Sequence, residues 1–372
     1  MSAGPFTGAA YGKQLPEDEQ PAHRDNNAFS YWADKDYAEI TIDRFGSAKI
    51  VVYPGFNFIE QASSELNWEL AINTAVLSKQ IYDRREKETF LMLGYDEVRV
   101  LCETPAMACP GATMAYKRIV DESGNVKNVF AVVVKGTSTG PDNETDFFDS
   151  WMGEMFGHSR DAVISEMKGA IIAFTGKSLE QLEGEDNYFV LTGHSLGAAV
   201  ANIMSVDDVL LGLVHNDKNK IYTYTFEAPP ACINLPGIDV EGMSNAYNFK
   251  DEDDFITYAT PYFFTAATYG HDKKFNVKDL SNRIFHTLYP SYRGCDYSTE
   301  QGKSWDGHHY MRGDFIYILQ MGGLYDRDYI AHSKKDEDPG GEGDGAAHYT
   351  VLLLDVSGQA KFIQPPSWLA ML

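Results

Sequence analysis

Tyr188-Phe-Val-Leu-Thr-Gly193-His-Ser195-Leu-Gly197-Ala-Ala-Val-Ala201 is the stretch from which the rest of the chain can be read. Residues 188–192 make a mostly apolar run of strand length. From Leu196 onward the alanines suit a helix lying close to a sheet. Between the two stands G-x-S-x-G. A serine at the tip of a sharp strand-to-helix turn holds strained backbone geometry and raises its hydroxyl above the sheet. Side chains two positions before or after it would strike the neighbouring strand and helix, which explains Gly193 and Gly197. The start of the helix also directs its partial positive charge toward a developing oxyanion. Ser195 is therefore the candidate nucleophile. The fold expected around it is α/β, a mostly parallel central sheet with helices on both faces.

Working outward, the same alternation continues. Downstream, residues 198–214 read as one helix, Ile221–Glu227 as a strand and Ala246–Phe249 as a short strand, a βαβ order that signals parallel pairing. Upstream, Thr113–Val120 and Val129–Val134 read as two antiparallel strands joined at Asp121-Glu-Ser-Gly-Asn. Helices are predicted over 63–83 and 161–175, and a β-hairpin over 38–53 around Phe45-Gly-Ser. In the last third, Arg283–Tyr289 suggests a strand and Met311–Met321 a helix. Val351–Val356 and Lys361–Ile363 suggest a terminal hairpin. The organisation expected is an irregular arm over 1–35, one catalytic domain over 36–335, and an acidic linker with the hairpin over 336–372.

Composition narrows the function class. With 44% hydrophobic and 23% charged residues in 372, the chain has the make-up of an ordinary globular protein. No apolar run approaches the roughly 18 residues a membrane span requires. The net charge of −23 argues against a nucleic-acid partner, whose phosphates need a basic footprint. It also disfavours docking to an anionic membrane, while self-repulsion favours a soluble monomer. Cys102, Cys109, Cys232 and Cys295 form neither a zinc pattern nor a dense disulfide framework. Cys102 and Cys109 are close enough to close a small loop, and four buried free thiols suit the pattern as well. The first twenty residues lack the basic and apolar regions of a signal peptide. The expectation is a secreted protein if such a peptide has been trimmed, and a cytoplasmic one otherwise.

Gly193-His-Ser-Leu-Gly-Ala-Ala199 after Val190-Leu-Thr, with the later Thr225-Phe-Glu-Ala-Pro-Pro230, resembles the nucleophile elbow and following strand of the class 3 (fungal-type) lipases. The resemblance runs from about Leu70 to Leu319 and implies an α/β-hydrolase fold with a Ser-His-Asp triad. Triad partners follow the serine in the order acid, then histidine. In the run Asp251-Glu-Asp-Asp254, the family pattern of an acid followed by two apolar residues selects Asp254, ahead of Phe255 and Ile256. Asp253 and Asp251 remain alternatives. For the base, His309 opens a predicted helix in the His-x-Met pattern of the bacterial members, with His308 as the alternative. The tandem pair departs from the usual pattern. His271 resembles the strand-edge histidine that the family carries without a catalytic role.

The oxyanion hole needs two converging backbone N–H groups. Leu196, directly after the nucleophile, supplies one. Val132-Val-Val-Lys-Gly136-Thr137 resembles the family segment that supplies the other, from Thr137, whose hydroxyl is a further donor. Lys135 replaces the more usual arginine. Asp149-Ser-Trp151 matches the family's acid-x-Trp. The stretch 139–156, with Phe147, Phe148 and Trp151, occupies the position of a lid or acyl-binding cover. The expected reaction is hydrolysis of a carboxylic ester, of a lipid or another hydrophobic acyl compound, through an acyl-enzyme and with no metal or organic cofactor. A phospholipase A1, thioesterase or aryl esterase would use the same machinery. A catalytically silent acyl-binding protein is the rival outside catalysis.

Overall fold

The computed structural model describes residues 38–41, 49–102, 110–120, 124–137, 156–233, 243–251, 254–257, 266–275, 351–354 and 360–363. The expected N-terminal hairpin is present as β1 (Ala38–Thr41) and β2 (Lys49–Val52), paired antiparallel. Helix α1 (Trp68–Gln80) starts five residues later than predicted, where Asn67 caps it by accepting a hydrogen bond from the Leu70 N–H at 2.9 Å. Helix α2 (Glu86–Met92) and strand β3 (Glu97–Leu101) follow, neither of them evident from the sequence pattern. The predicted antiparallel pair is β4 (Ala112–Val120) and β5 (Val126–Val134). Helix α3 (Gly157–Thr175) ends at Gly176, whose φ of 65° makes a left-handed C-cap. The short α4 (Leu179–Leu182) opens with a capping box between Ser178 and Gln181.

Next come β6 (Asp186–His194), α5 (Leu196–Met204), α6 (Asp208–Leu213) and β7 (Ile221–Phe226). The single helix expected over 198–214 is two. Ser205 donates from its hydroxyl to the Asn202 carbonyl at 2.6 Å, and Asp207 restarts the helix by accepting from the Val209 N–H at 2.9 Å. These side-chain bonds compete with the helical ladder and interrupt it. The two-residue strands β8 (Cys232–Ile233) and β10 (Ala266–Ala267) pair with each other. Strands β9 (Ala246–Asp251) and β11 (His271–Phe275) join the main sheet. The predicted C-terminal hairpin is β12 (Val351–Leu354) with β13 (Ala360–Ile363). The expected elements at 283–289 and 311–321 lie outside the described residues, as do the arm over 1–35 and residues 336–350 of the acidic linker.

The main sheet runs β11-β9-β7-β6-β5-β4-β3. It is parallel from β11 to β5 and antiparallel across β4 and β3. Strand period sets the two cores. In β5, Val129, Ala131 and Val133 face α1 and α2 with Tyr222, Tyr224 and Phe249. Phe130, Val132 and Val134 face α3 and α5 with Phe189, Leu191 and Val200. Both faces being covered, β6 and β7 are buried almost throughout, the condition under which strands read as continuous apolar runs. The architecture is an α/β-hydrolase sheet with the Ser195 turn at the end of a central strand.

Candidate active site

Ser195 joins β6 directly to α5 at φ 58° and ψ −128°, a region that side chains other than glycine rarely occupy. Its N–H donates to the Phe226 carbonyl at 3.0 Å, which ties the turn to the end of β7. Both flanking glycines are required by close approach. A Cβ at Gly193 would lie 2.5 Å from the Gly197 carbonyl carbon and 2.7 Å from the Val134 oxygen. One at Gly197 would overlap the Val134 carbonyl oxygen and sit 2.8 Å from the Lys135 carbonyl carbon. The elbow is wedged against the end of β5, consistent with the register that sets Val134 opposite Gly193.

That wedge brings the predicted oxyanion segment to the nucleophile. Gly136 follows β5, and a Cβ there would stand 2.5 Å from the His194 carbonyl oxygen and 3.0 Å from the Ser195 Cβ. Thr137 is next in the chain, and its buried hydroxyl has no hydrogen-bond partner among the described residues. A buried hydroxyl without a partner costs free energy that a ligand oxygen would recover. Lys135 carries an ammonium that burial holds below its usual pKa; Arg84 adds to this and Glu86 opposes it.

Asp254 lies at the same C-terminal end of the parallel strands, three residues beyond the end of β9, with β7 between β9 and the nucleophile strand. It is fully buried rather than part of a solvated acidic turn. Its Oδ1 accepts from the Ile256 N–H at 2.9 Å, and its carbonyl accepts from the Thr257 hydroxyl at 2.9 Å. Asp251 is the last residue of β9, and Asp253 lies outside the described residues. Buried amides tie the acid's strand to the nucleophile's helix. Asn202 of α5 donates to the Asn248 Oδ1 at 2.9 Å, Thr225 donates to the same oxygen at 2.6 Å, and Asn202 accepts from the Tyr269 N–H at 2.8 Å. Below the acid loop, the Lys250 ammonium donates to Asp272 at 2.9 Å and to Thr268 at 3.0 Å.

Ser195, Leu196 and Thr137 are thus brought together, and Asp254 shares their end of the parallel strands. His309, His308, Phe147, Phe148 and Trp151 lie outside the described residues. His271 is on β11, exposed, two strands beyond β7. Cys102 is disulfide-bonded, so the alternative of four free thiols does not hold; Cys109 lies outside the described residues. Among the described residues, no cluster of three or more His, Cys, Asp or Glu forms a metal site, and no helix is long and apolar enough to cross a membrane.

Two residues at the site escaped sequence reasoning. Tyr82, just past α1, sets its hydroxyl 2.9 Å from the His194 Nδ1, a contact across 112 residues. Glu227, directly after β7, is a carboxylate residue only 1% exposed, held at φ 51° with its N–H donating to the Phe249 carbonyl at 2.9 Å. A glutamate between a strand and Ala-Pro-Pro carries no local mark of burial.

Residues 112–264 match the family model described as lipase (class 3). No curated protein matches the chain in sequence. Among solved structures, the Rhizomucor miehei lipase propeptide complex is similar at 16% identity and a TM-score of 0.33, over 56% of this chain and 68% of that one. The lipase from Rhizopus microsporus var. chinensis is similar at 14% identity and 0.33, over 65% and 82%. A fungal lipase–inhibitor complex is similar at 17% and 0.36, over 57% and 80%. Likeness at this level transfers no residue roles.

Proposed function

We propose, from the match of residues 112–264 to the class 3 lipase family model, that the chain hydrolyses carboxylic esters of lipids or other hydrophobic acyl compounds through an acyl-enzyme on Ser195. The observation that carries the reading is the strained Ser195 turn beside the Thr137 hydroxyl, which has no partner among the described residues. Strain of that kind persists only where surrounding structure imposes it, and it exposes the serine hydroxyl to a bound carbonyl.

In this mechanism the Ser195 Oγ bonds to the ester carbonyl carbon while its proton passes to the base, His309 or its neighbour His308. The carbonyl oxygen takes the negative charge and is held by the N–H groups of Leu196 and Thr137, with the Thr137 hydroxyl as a third donor. Collapse breaks the bond to the alcohol, which leaves with the proton. Water then repeats the sequence on the acyl-enzyme and releases the acid. Asp254 orients the imidazole and stabilises its charged form, for which a buried, pre-aligned carboxylate is suited. The apolar residues Phe147, Phe148 and Trp151 are assigned to the acyl-binding side.

A fluorophosphonate probe tests the reading. One label per chain is expected on Ser195, and Ser195→Ala abolishes it and lowers kcat by roughly three to six orders of magnitude. A chain that takes no label is an acyl-binding relic rather than an enzyme. Comparing p-nitrophenyl esters of rising chain length with triacylglycerol, phospholipid and thioester substrates separates a lipase from a phospholipase A1, a thioesterase or an aryl esterase.

A further inference from the structure

We propose that Tyr82 is a positioning residue that holds the two halves of the oxyanion hole at their working separation. The proposal rests on the assignment of Leu196 and Thr137 above. Those two amides come from segments about sixty residues apart in sequence, and their aim at one oxygen depends on how the elbow sits against the end of β5. Donors of this kind act through pre-set geometry, so a shift of a few tenths of an ångström is felt in the rate.

Tyr82 touches both segments. On the elbow side, its hydroxyl is 2.9 Å from the His194 Nδ1 and its ring meets the imidazole edge-on at 5.6 Å. His194 immediately precedes the nucleophile. On the β5 side, the same hydroxyl occupies the space a Cβ at Gly136 would need, and the Lys135 ammonium stands 5.8 Å from the ring centroid. Gly136 immediately precedes Thr137. One phenol therefore braces both segments, two residues before the Leu196 donor and one before Thr137.

The brace is itself anchored. The Tyr82 N–H donates to the Lys79 carbonyl at 3.2 Å, and the Arg85 N–H returns to the Gln80 carbonyl at 3.0 Å around Arg84 at φ 56°. The phenol can donate or accept, so the contact joins Tyr82 to His194 in either imidazole tautomer, which sets which of the two donates. A tyrosine is suited to this place because its ring fills space against His194 and Lys135 while its oxygen reaches the polar backbone between them.

The test is Tyr82→Phe, which keeps the ring contacts and removes only the hydroxyl. On a short p-nitrophenyl ester we expect kcat to fall roughly tenfold, with KM within about twofold and the thermal midpoint unchanged. Affinity for an alkyl trifluoromethyl ketone, whose adduct places an oxyanion in the hole, should fall by the same factor as kcat. On a His194→Ala background, Tyr82→Phe should cost nothing further. Wild-type kcat and ketone affinity in Tyr82→Phe would overturn the proposal. So would a loss confined to thermal stability or KM, or losses that multiply in the double variant. An inactive Ser195→Ala alongside any of those results leaves the ester-hydrolase reading standing and removes only the brace. An active Ser195→Ala removes both.

Discussion

Replacing Gly197 with alanine adds one methyl group where the structure leaves no space for it. The new Cβ would overlap the Val134 carbonyl oxygen and lie 2.7 Å from the Val134 carbonyl carbon and 2.8 Å from that of Lys135. Ordinary van der Waals contact begins at 3.4 Å, so the end of β5 must retreat by at least the 0.7 Å that the Val134 carbonyl carbon requires, and further for its oxygen. The obstructing atoms are backbone of a central strand and cannot rotate aside. Overpacking of this kind costs about 1–3 kcal/mol, offset by the better helix propensity of alanine, about 0.5–1 kcal/mol. The retreat also carries Lys135-Gly136-Thr137 away from Ser195. A misplacement approaching 1 Å costs about a hundredfold in rate. Gly169→Ala on α3 is the control, because a Cβ there meets nothing within 4 Å. It should gain about 0.5–1 kcal/mol with unchanged turnover. Urea unfolding and kcat/KM on p-nitrophenyl butyrate measure both effects. If Gly197→Ala keeps wild-type stability and turnover, the wedge between elbow and β5 does not set the site.

Three further outcomes are expected. Thr137→Pro removes the amide donor and should cost about 2–4 kcal/mol of transition-state stabilisation; Thr137→Val removes only the hydroxyl and should lose less, and equal losses would mean the backbone N–H is not the donor. His309→Ala should be as inactive as Ser195→Ala and His308→Ala only about tenfold slower, since triad members act as a unit and adjacent residues entering a helix point about 100° apart; the reverse result moves the base by one residue. Burial pushes the Cys232 thiol up to about 11, against the lesser opposing effects of its hydrogen bond to Ala267 and of Lys250. Raising the pKa keeps the thiol protonated at pH 8, so iodoacetamide should alkylate Cys232 only after unfolding, as read by mass spectrometry; stoichiometric native labelling would contradict its burial.

What the sequence determined by itself was the elbow and the sheet built around it. The elbow is legible because strand, turn and helix are contiguous: Tyr188–Thr192 is buried on both faces and so reads as an apolar run, and Ser195 stands between two glycines. The runs of β5 and β7 are legible for the same reason. Strand β3, Glu97-Val-Arg-Val-Leu, and strand β11, His271-Asp-Lys-Lys-Phe, are not, because each lies at a sheet edge and owes its conformation to hydrogen bonds with β4 and β9 rather than to its own pattern. The break between α5 and α6 is hidden because apolar residues continue on both sides of Ser205–Asp207. Tertiary structure alone shows that Asp254 is buried and that Asp251 ends its strand. It alone explains the glycines by contacts from Val134, and it alone brings Tyr82 to His194. Local pattern records which face of an element is buried; it carries no record of which distant residue fills the space on that face.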